Sequence, residues 1–513
     1  MKHTWMLLLV VITTTAAAQD ANEHAKHSHA VLGTVDFKNS GAAAAQPAFQ
    51  RGVALLHSFE YQDAAEEFRA ARRADPSLAL TYWLEALTYN RVLWGLDDVA
   101  RSRAVLAQLG NTPESRLAKA NTERERAFGA VVEAFYIDQP LSARARAFAD
   151  AALKHAAANP TDHEAAVFAA LASMMAWQTS PPATPDRQKY NDAVKQHALR
   201  VFRENPQHPG AAHYLIHFVD MNPHLASEAL EFARAYDKIA PDAEHALHMP
   251  SHVYLPLGMW PDVVAANERA WPASRRAVLA NKESPANNSW HSLDWLQYAY
   301  LQLGRYEDAR ALVDTANALL RGVDLEPGQS DARNIVGLLA FRYGLETGKW
   351  DAYPAGIPAI DVVLGQPRPS ARAWTMATNA AYQTAVASLR GQQDRAPMQT
   401  VIRVFRSQAD SLPASDQRRN TLLRLATQME AMLAHGDGDT QRALSLLEQI
   451  APTEPSNASL PPTTIPSDEL LGQYLLAANR PADAAAAFER VLRARANRSA
   501  SVRGLEQARQ AQR

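Results

Sequence analysis

Five stretches of this chain share one spacing, and that spacing admits few folds. The first, GVALLHSFEYQDAAEEFRAARRADP, sets Gly52, Tyr61, Ala64, Phe68, Ala71 and then Asp75-Pro76 at fixed intervals. Near the other end, ELLGQYLLAANRPADAAAAFERVL repeats the intervals with Gly472, Ala484 and Phe488. LGMWPDVVAANERA (Gly258, Trp260, Ala270), LGRYEDARALVDTA (Gly304, Tyr306, Ala309) and GDGDTQRALSLLEQIAPTEP (Gly438, Ala443, Pro455) lie between them. Small residues let two helices approach, the aromatic fills the gap, and the proline ends the second helix. Such a hairpin cannot bury its apolar face alone and must stack on its neighbours. Abundant alanine and the scarcity of β-branched clusters favour helix, and no convincing strand run is present. The expected fold is all-α, an α-α superhelical solenoid of helical hairpins over residues 48–513, without a β-sheet. Its regular repeats fall near 48–80, 244–320 and 420–496, and SASVRGLEQARQ is expected as a polar capping helix.

The L-G, then A-x3-F, then Pro spacing resembles the tetratricopeptide repeat, a helix–turn–helix unit of about 34 residues. The turns at Gly258 and Gly304 are 46 residues apart, so one repeat there carries an insertion. QTSPPATPDRQ (178–188) and APTEPSNASLPPTTIP (451–466) read as loops from their Pro, Ser and Thr content. Residues 48–320, with HPGAAHYLIHFVD, HALHMPSHVYLPLGMWPDVVAANERA and WHSLDWLQYAYLQLGRYEDA, are similar to a group of exported bacterial tetratricopeptide-repeat proteins with histidine-rich helices. That resemblance implies a fold and a histidine pattern, and no activity. One departure is Arg91 after TYN, where the group tends to carry histidine.

The first twenty residues, MKHTWMLLLVVITTTAAAQD, combine Lys2, a short apolar core from Trp5 to Ile12 and an Ala16-x-Ala18 cleavage site. They read as a secretory signal peptide, residues 1–18, which predicts an exported protein, periplasmic or secreted. Residues 19–47, with His24, His27 and His29, read as a mobile arm. No later run has the ~20 apolar residues of a transmembrane segment. A formal charge of −2 gives no basic surface for nucleic acid. With no cysteine in the chain, disulfides, thiolate ligands, thiol nucleophiles and lipid attachment through cysteine are excluded, so a metal must be held by His, Asp, Glu or Met.

The histidines are the chemical signal. Eight of 17 fall within residues 208–291, where an even spread would place about three. Counted back from the turn glycines, His252, His248 and His245 lie six, ten and thirteen residues before Gly258, and Tyr298, Asp294 and His291 lie at the same offsets before Gly304. Offsets of three and seven fall within about 60° on a helix, so each set forms one stripe. In tetratricopeptide proteins the corresponding stripe resembles the one lining the concave groove. Adjacent helices should then set the two stripes side by side. His213 and His217 in HYLIH add an i, i+4 pair of the kind that grips one ion. Pro250 complicates the register: if it begins a helix, His245 and His248 sit on the incoming turn.

The expected metal ligands are therefore His213, His217, His245, His248, His252, His291 and Asp294, gathered in one pocket, with Zn2+, Cu2+ or Ni2+ as the ion. A protein or peptide segment in the groove is the expected partner. No Walker, G-x-S-x-G, H-E-x-x-H or dinucleotide motif is present, and HYLIH lacks a zinc protease's glutamate. The leading function is an exported binding protein. The alternatives are a metal-dependent hydrolytic or oxidative enzyme, with Asp220, Glu244 or Asp294 as acid or base, and a metal-free interaction scaffold.

Overall fold

A computed structural model describes residues 30–181, 184–325, 330–352, 365, 370–454 and 460–513. The expected signal peptide and His24, His27 and His29 lie outside the described residues. Within them the regular structure is helical, apart from a two-residue antiparallel ladder of Asn90–Arg91 with Leu96–Asp97. No described helix is long and apolar enough to cross a membrane.

The helices pair as antiparallel hairpins, and the repeat signature has a direct cause. Gln46–His57 packs on Tyr61–Ala74, and Ser467–Ala477 on Pro481–Ala494. A Cβ at Gly52 would stand 2.7 Å from the Phe68 ring, and one at Gly472 the same distance from Phe488. The glycine on the first helix is thus the seat of the phenylalanine on the second. The hairpin turns also share a geometry. At Gly258, Gly304, Gly438 and Asn479 the helix ends with one left-handed residue. The next N–H reaches back to the carbonyl five residues earlier: Met259 to Tyr254, Arg305 to Tyr300, Asp439 to Ala434 and Arg480 to Leu475.

The chain divides into two compact units. The first holds the described residues up to Met221 and Glu231–Met249; the second holds Asn222–Leu230 and Pro250–Arg513. The first unit departs from nearest-neighbour stacking, because Pro209–Met221 packs on Gln46–His57 as well as on His163–Thr179. Residues 30–45, expected as part of a mobile arm, lie along this unit as an ordered strap. Val31 donates its N–H to Asp242 and Thr34 to the Gln207 carbonyl. Phe37 is fully buried, its ring against Phe49, Phe128 and Phe168, and that apolar burial offsets the cost of ordering the strap.

In the second unit Ser499–Ala511 closes the stack. It buries Gly504, Leu505 and Ala508 and exposes Glu506 and Arg509, the two-faced pattern of a terminal cap. Arg498, just before it, is buried and grips Glu469 through two hydrogen bonds of 2.7 Å. It also donates to Tyr298 Oη at 3.2 Å and stands 3.3 Å from Glu346.

Candidate metal centre

In the first unit, the i, i+4 pair of Pro209–Met221 meets the short helix Glu244–His248. His213, His217 and His245 each bring one ring nitrogen to within 4.8 Å of the other two. His213 is fully buried and the other two are half-buried. Hydrogen bonds fix the tautomer of the pair. His213 Nδ1 donates to the His57 carbonyl at 2.6 Å, and His217 Nδ1 donates to the Asp220 carboxylate at 2.9 Å. An oxygen acceptor on Nδ1 leaves the lone pair of a neutral imidazole on Nε2, the atom that could hold an ion. The Nε2 atoms of His213, His217 and His245 are buried.

The walls of the centre are aromatic. Tyr236 stacks on His213 with ring centroids 5.0 Å apart. Phe59 lies 4.3 Å from His213, 5.5 Å from His217 and 5.8 Å from His245, centroid to centroid. Phe59 holds this place by occupying a turn position that glycine takes at Gly258 and Gly304, with φ at 59°. Its hydrogen bonds are those of the shared turn: Glu60 N–H to Leu55 and Phe59 N–H to Leu56. A left-handed phenylalanine costs about 1–2 kcal/mol. Phe59→Gly is therefore expected to destabilise the protein by about 1 kcal/mol less than Phe59→Ala, although it removes more of the side chain. Urea unfolding of the two variants measures the difference.

Two carboxylates border the site. Glu60, half-buried, accepts the His245 N–H at 2.9 Å. Burial, with the neighbouring Glu244, pushes its pKa up to about 8.

Behind the centre, His57, Glu164 and His208 are buried together. They too lie close enough to hold an ion, but their hydrogen bonds use the lone pairs an ion would need. His208 Nδ1 accepts the Ala211 N–H at 3.3 Å, so its Nε2 donates to Glu164 Oε1 at 3.1 Å. His57 Nε2 donates to Glu164 Oε2 at 3.0 Å, and its Nδ1 accepts from Tyr214 Oη at 2.9 Å. Burial alone would raise the Glu164 pKa, but the two histidines beside it hold it well below the usual carboxylate range. Burial keeps His57 neutral. This network sets the His57 carbonyl that His213 needs. Gly210 permits the approach, since a Cβ there would stand 2.9 Å from the His57 ring.

Pro250 stands between Glu244–His248 and a further turn of helix, Ser251–Tyr254, and the backbone stays right-handed helical through Met249 and Pro250. His248 is buried at the end of the first unit, its ring 6.2 Å from that of His245. In the second unit His252 meets His291, with Nε2 atoms 3.4 Å apart. Asp294 is not gathered with the imidazoles: it forms a buried ion pair with Arg342, and the guanidinium takes the carboxylate. Pro209–Met221 is buried on nearly every side, so its i, i+4 stripe turns into packed interior. Arg91, where the similar group tends to have histidine, lies over the Tyr61 ring at 5.3 Å.

The sequence reading missed Phe59 and Glu164. Phe59 had a signal, since FEY stands where the other turns read GMW and GRY. Glu164 had none, because it meets His57 and His208 only through contacts between distant helices.

No protein-family model matches this chain, and no curated protein is similar to it in sequence. Among solved structures it is similar to the Cut9–Hcn1 hetero-tetramer of the APC/C, at 10% identity and a TM-score of 0.34, over 96% of this chain and 82% of that one. Yeast Tom70 matches at 9% identity and a TM-score of 0.32, over 98% and 93% of the two chains. The P58(IPK) TPR domain matches at 12% and 0.20, over 92% and 98%. These likenesses are too distant to bear on the site.

Proposed function

We propose that this protein is an exported helical-repeat binding protein that holds a divalent transition metal ion on His213, His217 and His245. One observation carries the reading: Nδ1 of both His213 and His217 donates to an oxygen, so both Nε2 lone pairs belong to the cluster. An all-imidazole set suits Zn2+, Cu2+ or Ni2+ and disfavours Mg2+ and Ca2+. Export rests on the composition of residues 1–18. A protein or peptide partner on the helical repeats is part of the same reading, since stacked hairpins present extended surfaces.

Three protein nitrogens leave a coordination position for water, the arrangement of a metal that does chemistry. That favours a metal-dependent hydrolytic or oxidative enzyme as the second reading. Calorimetry with Zn2+, Cu2+ and Ni2+ on untagged protein tests the first. Asp220→Asn is expected to weaken binding about 10–100-fold, and His213→Ala with His217→Ala to abolish it, with helical circular dichroism unchanged. Equal binding by wild type and the double variant would sink the reading. Metal-dependent turnover of ester, phosphoester or peroxide probes, lost in the same variant, would favour the enzyme.

A further inference from the structure

The second unit carries an imidazole pair that the three-histidine centre does not use. His252 lies in Ser251–Tyr254, and His291 in the first turn of Trp290–Gln302. Their Nε2 atoms are 3.4 Å apart. Hydrogen bonds between a nitrogen donor and its acceptor cluster near 2.9–3.0 Å, so this separation is long for one imidazole donating to the other. It is instead close to the edge of a tetrahedron of nitrogens around one ion. With metal–nitrogen bonds of about 2.0–2.1 Å, that edge is about 3.3 Å.

The surroundings hold the two rings in this relation. Trp295, fully buried one turn along from His291, stacks on His252 with centroids 4.5 Å apart and meets His291 edge-on at 5.4 Å. His252 is buried, whereas His291 is half-buried, so an ion reaches the pair from the His291 side. The nearest carboxylate along that helix, Asp294, is engaged by Arg342.

We infer that His252 and His291 belong to a further transition-metal site, which binds one Cu2+, Ni2+ or Zn2+ ion through the Nε2 atoms of both imidazoles. The inference does not rest on the three-histidine centre, whose aromatic wall is Phe59 and Tyr236, whereas Trp295 packs on His252 and His291.

Trp295 supplies the readout. Cu2+ quenches the fluorescence of an indole stacked on its ligand, so CuCl2 titration of the full-length protein is expected to remove most of the emission that separates wild type from Trp295→Phe. That quenching is expected to persist in His213→Ala/His217→Ala and to vanish in His291→Ala and in His252→Ala/His291→Ala. Excess EDTA should restore the emission. His291→Ala removes a half-buried side chain and guards against misfolding of the double variant. Electron spin resonance of Cu2+ on His213→Ala/His217→Ala should show hyperfine coupling to at least two nitrogens. Quenching that survives His291→Ala, or is equal in wild type and Trp295→Phe, overturns the inference and leaves the two imidazoles as a hydrogen-bonded pair. Loss of the three-histidine heat with Trp295 quenching intact would overturn the first site and keep this one.

Discussion

Glu164→Ala is expected to lower stability by about 3–5 kcal/mol, because it strips two buried N–H donors of their shared acceptor. His57 and His208 each donate to one oxygen of Glu164. Glu164→Gln is expected to cost only about 1 kcal/mol. Its amide oxygen still accepts from His208, while its NH2 group faces His57. His57 can then switch tautomer, because Tyr214 Oη can accept as readily as it donates. Urea unfolding gives both values, and equal losses in the two variants would dismiss the tautomer argument. The same network sets an acid limit. Glu164 has a folded pKa below its ordinary value of 4.5, so its stabilisation is complete above that pH and drains as pH falls toward the folded value. The His57 pKa is also lowered, so the neutral histidine in the fold costs stability as pH falls through 6.5. Stability should therefore decline first below about pH 6.5 and again below about 4.5, and Glu164→Gln should lose the second decline.

Arg498→Ala should cost a further ~3–5 kcal/mol, in the second unit. The guanidinium there faces Glu469 at 2.7 Å through two nitrogens and Glu346 at 3.3 Å, with all three side chains buried. Removing it leaves Glu469 in the interior without its cation, and leaves Glu346 with Arg503 at 3.4 Å. Arg498→Lys should recover little, because an ammonium cannot match the paired geometry on Glu469. Hydrogen exchange should show Ser499–Ala511 opening first, since Arg498 adjoins that helix and holds Glu469, which also accepts from Ser501. Added salt should change the wild-type value little, because buried pairs are poorly screened. If Arg498→Ala shifts the unfolding midpoint no more than an exposed arginine variant such as Arg493→Ala, the buried cluster does not hold that helix.

The sequence by itself determined the local structure. Glycine against phenylalanine at Gly52–Phe68 and Gly472–Phe488 is a short-range steric match, and it is written in the spacing. The turns at Gly258 and Gly304 needed a left-handed residue, and glycine announced them. The i, i+4 relation of His213 and His217 follows from helix geometry alone, and their joining by His245 remains a contact that only the fold makes. What tertiary structure decided was which stripe meets which. Asp294 sat in phase with the histidines, yet Arg342, 48 residues on, claimed its carboxylate. His57 reached His213 across 156 residues because Pro209–Met221 packs on the first helix instead of on its sequence neighbours alone. Side-chain periodicity fixes the face a residue points from, and only the packing of distant helices fixes what stands opposite; the His57 carbonyl that sets the tautomer of His213 belongs to that second kind of information.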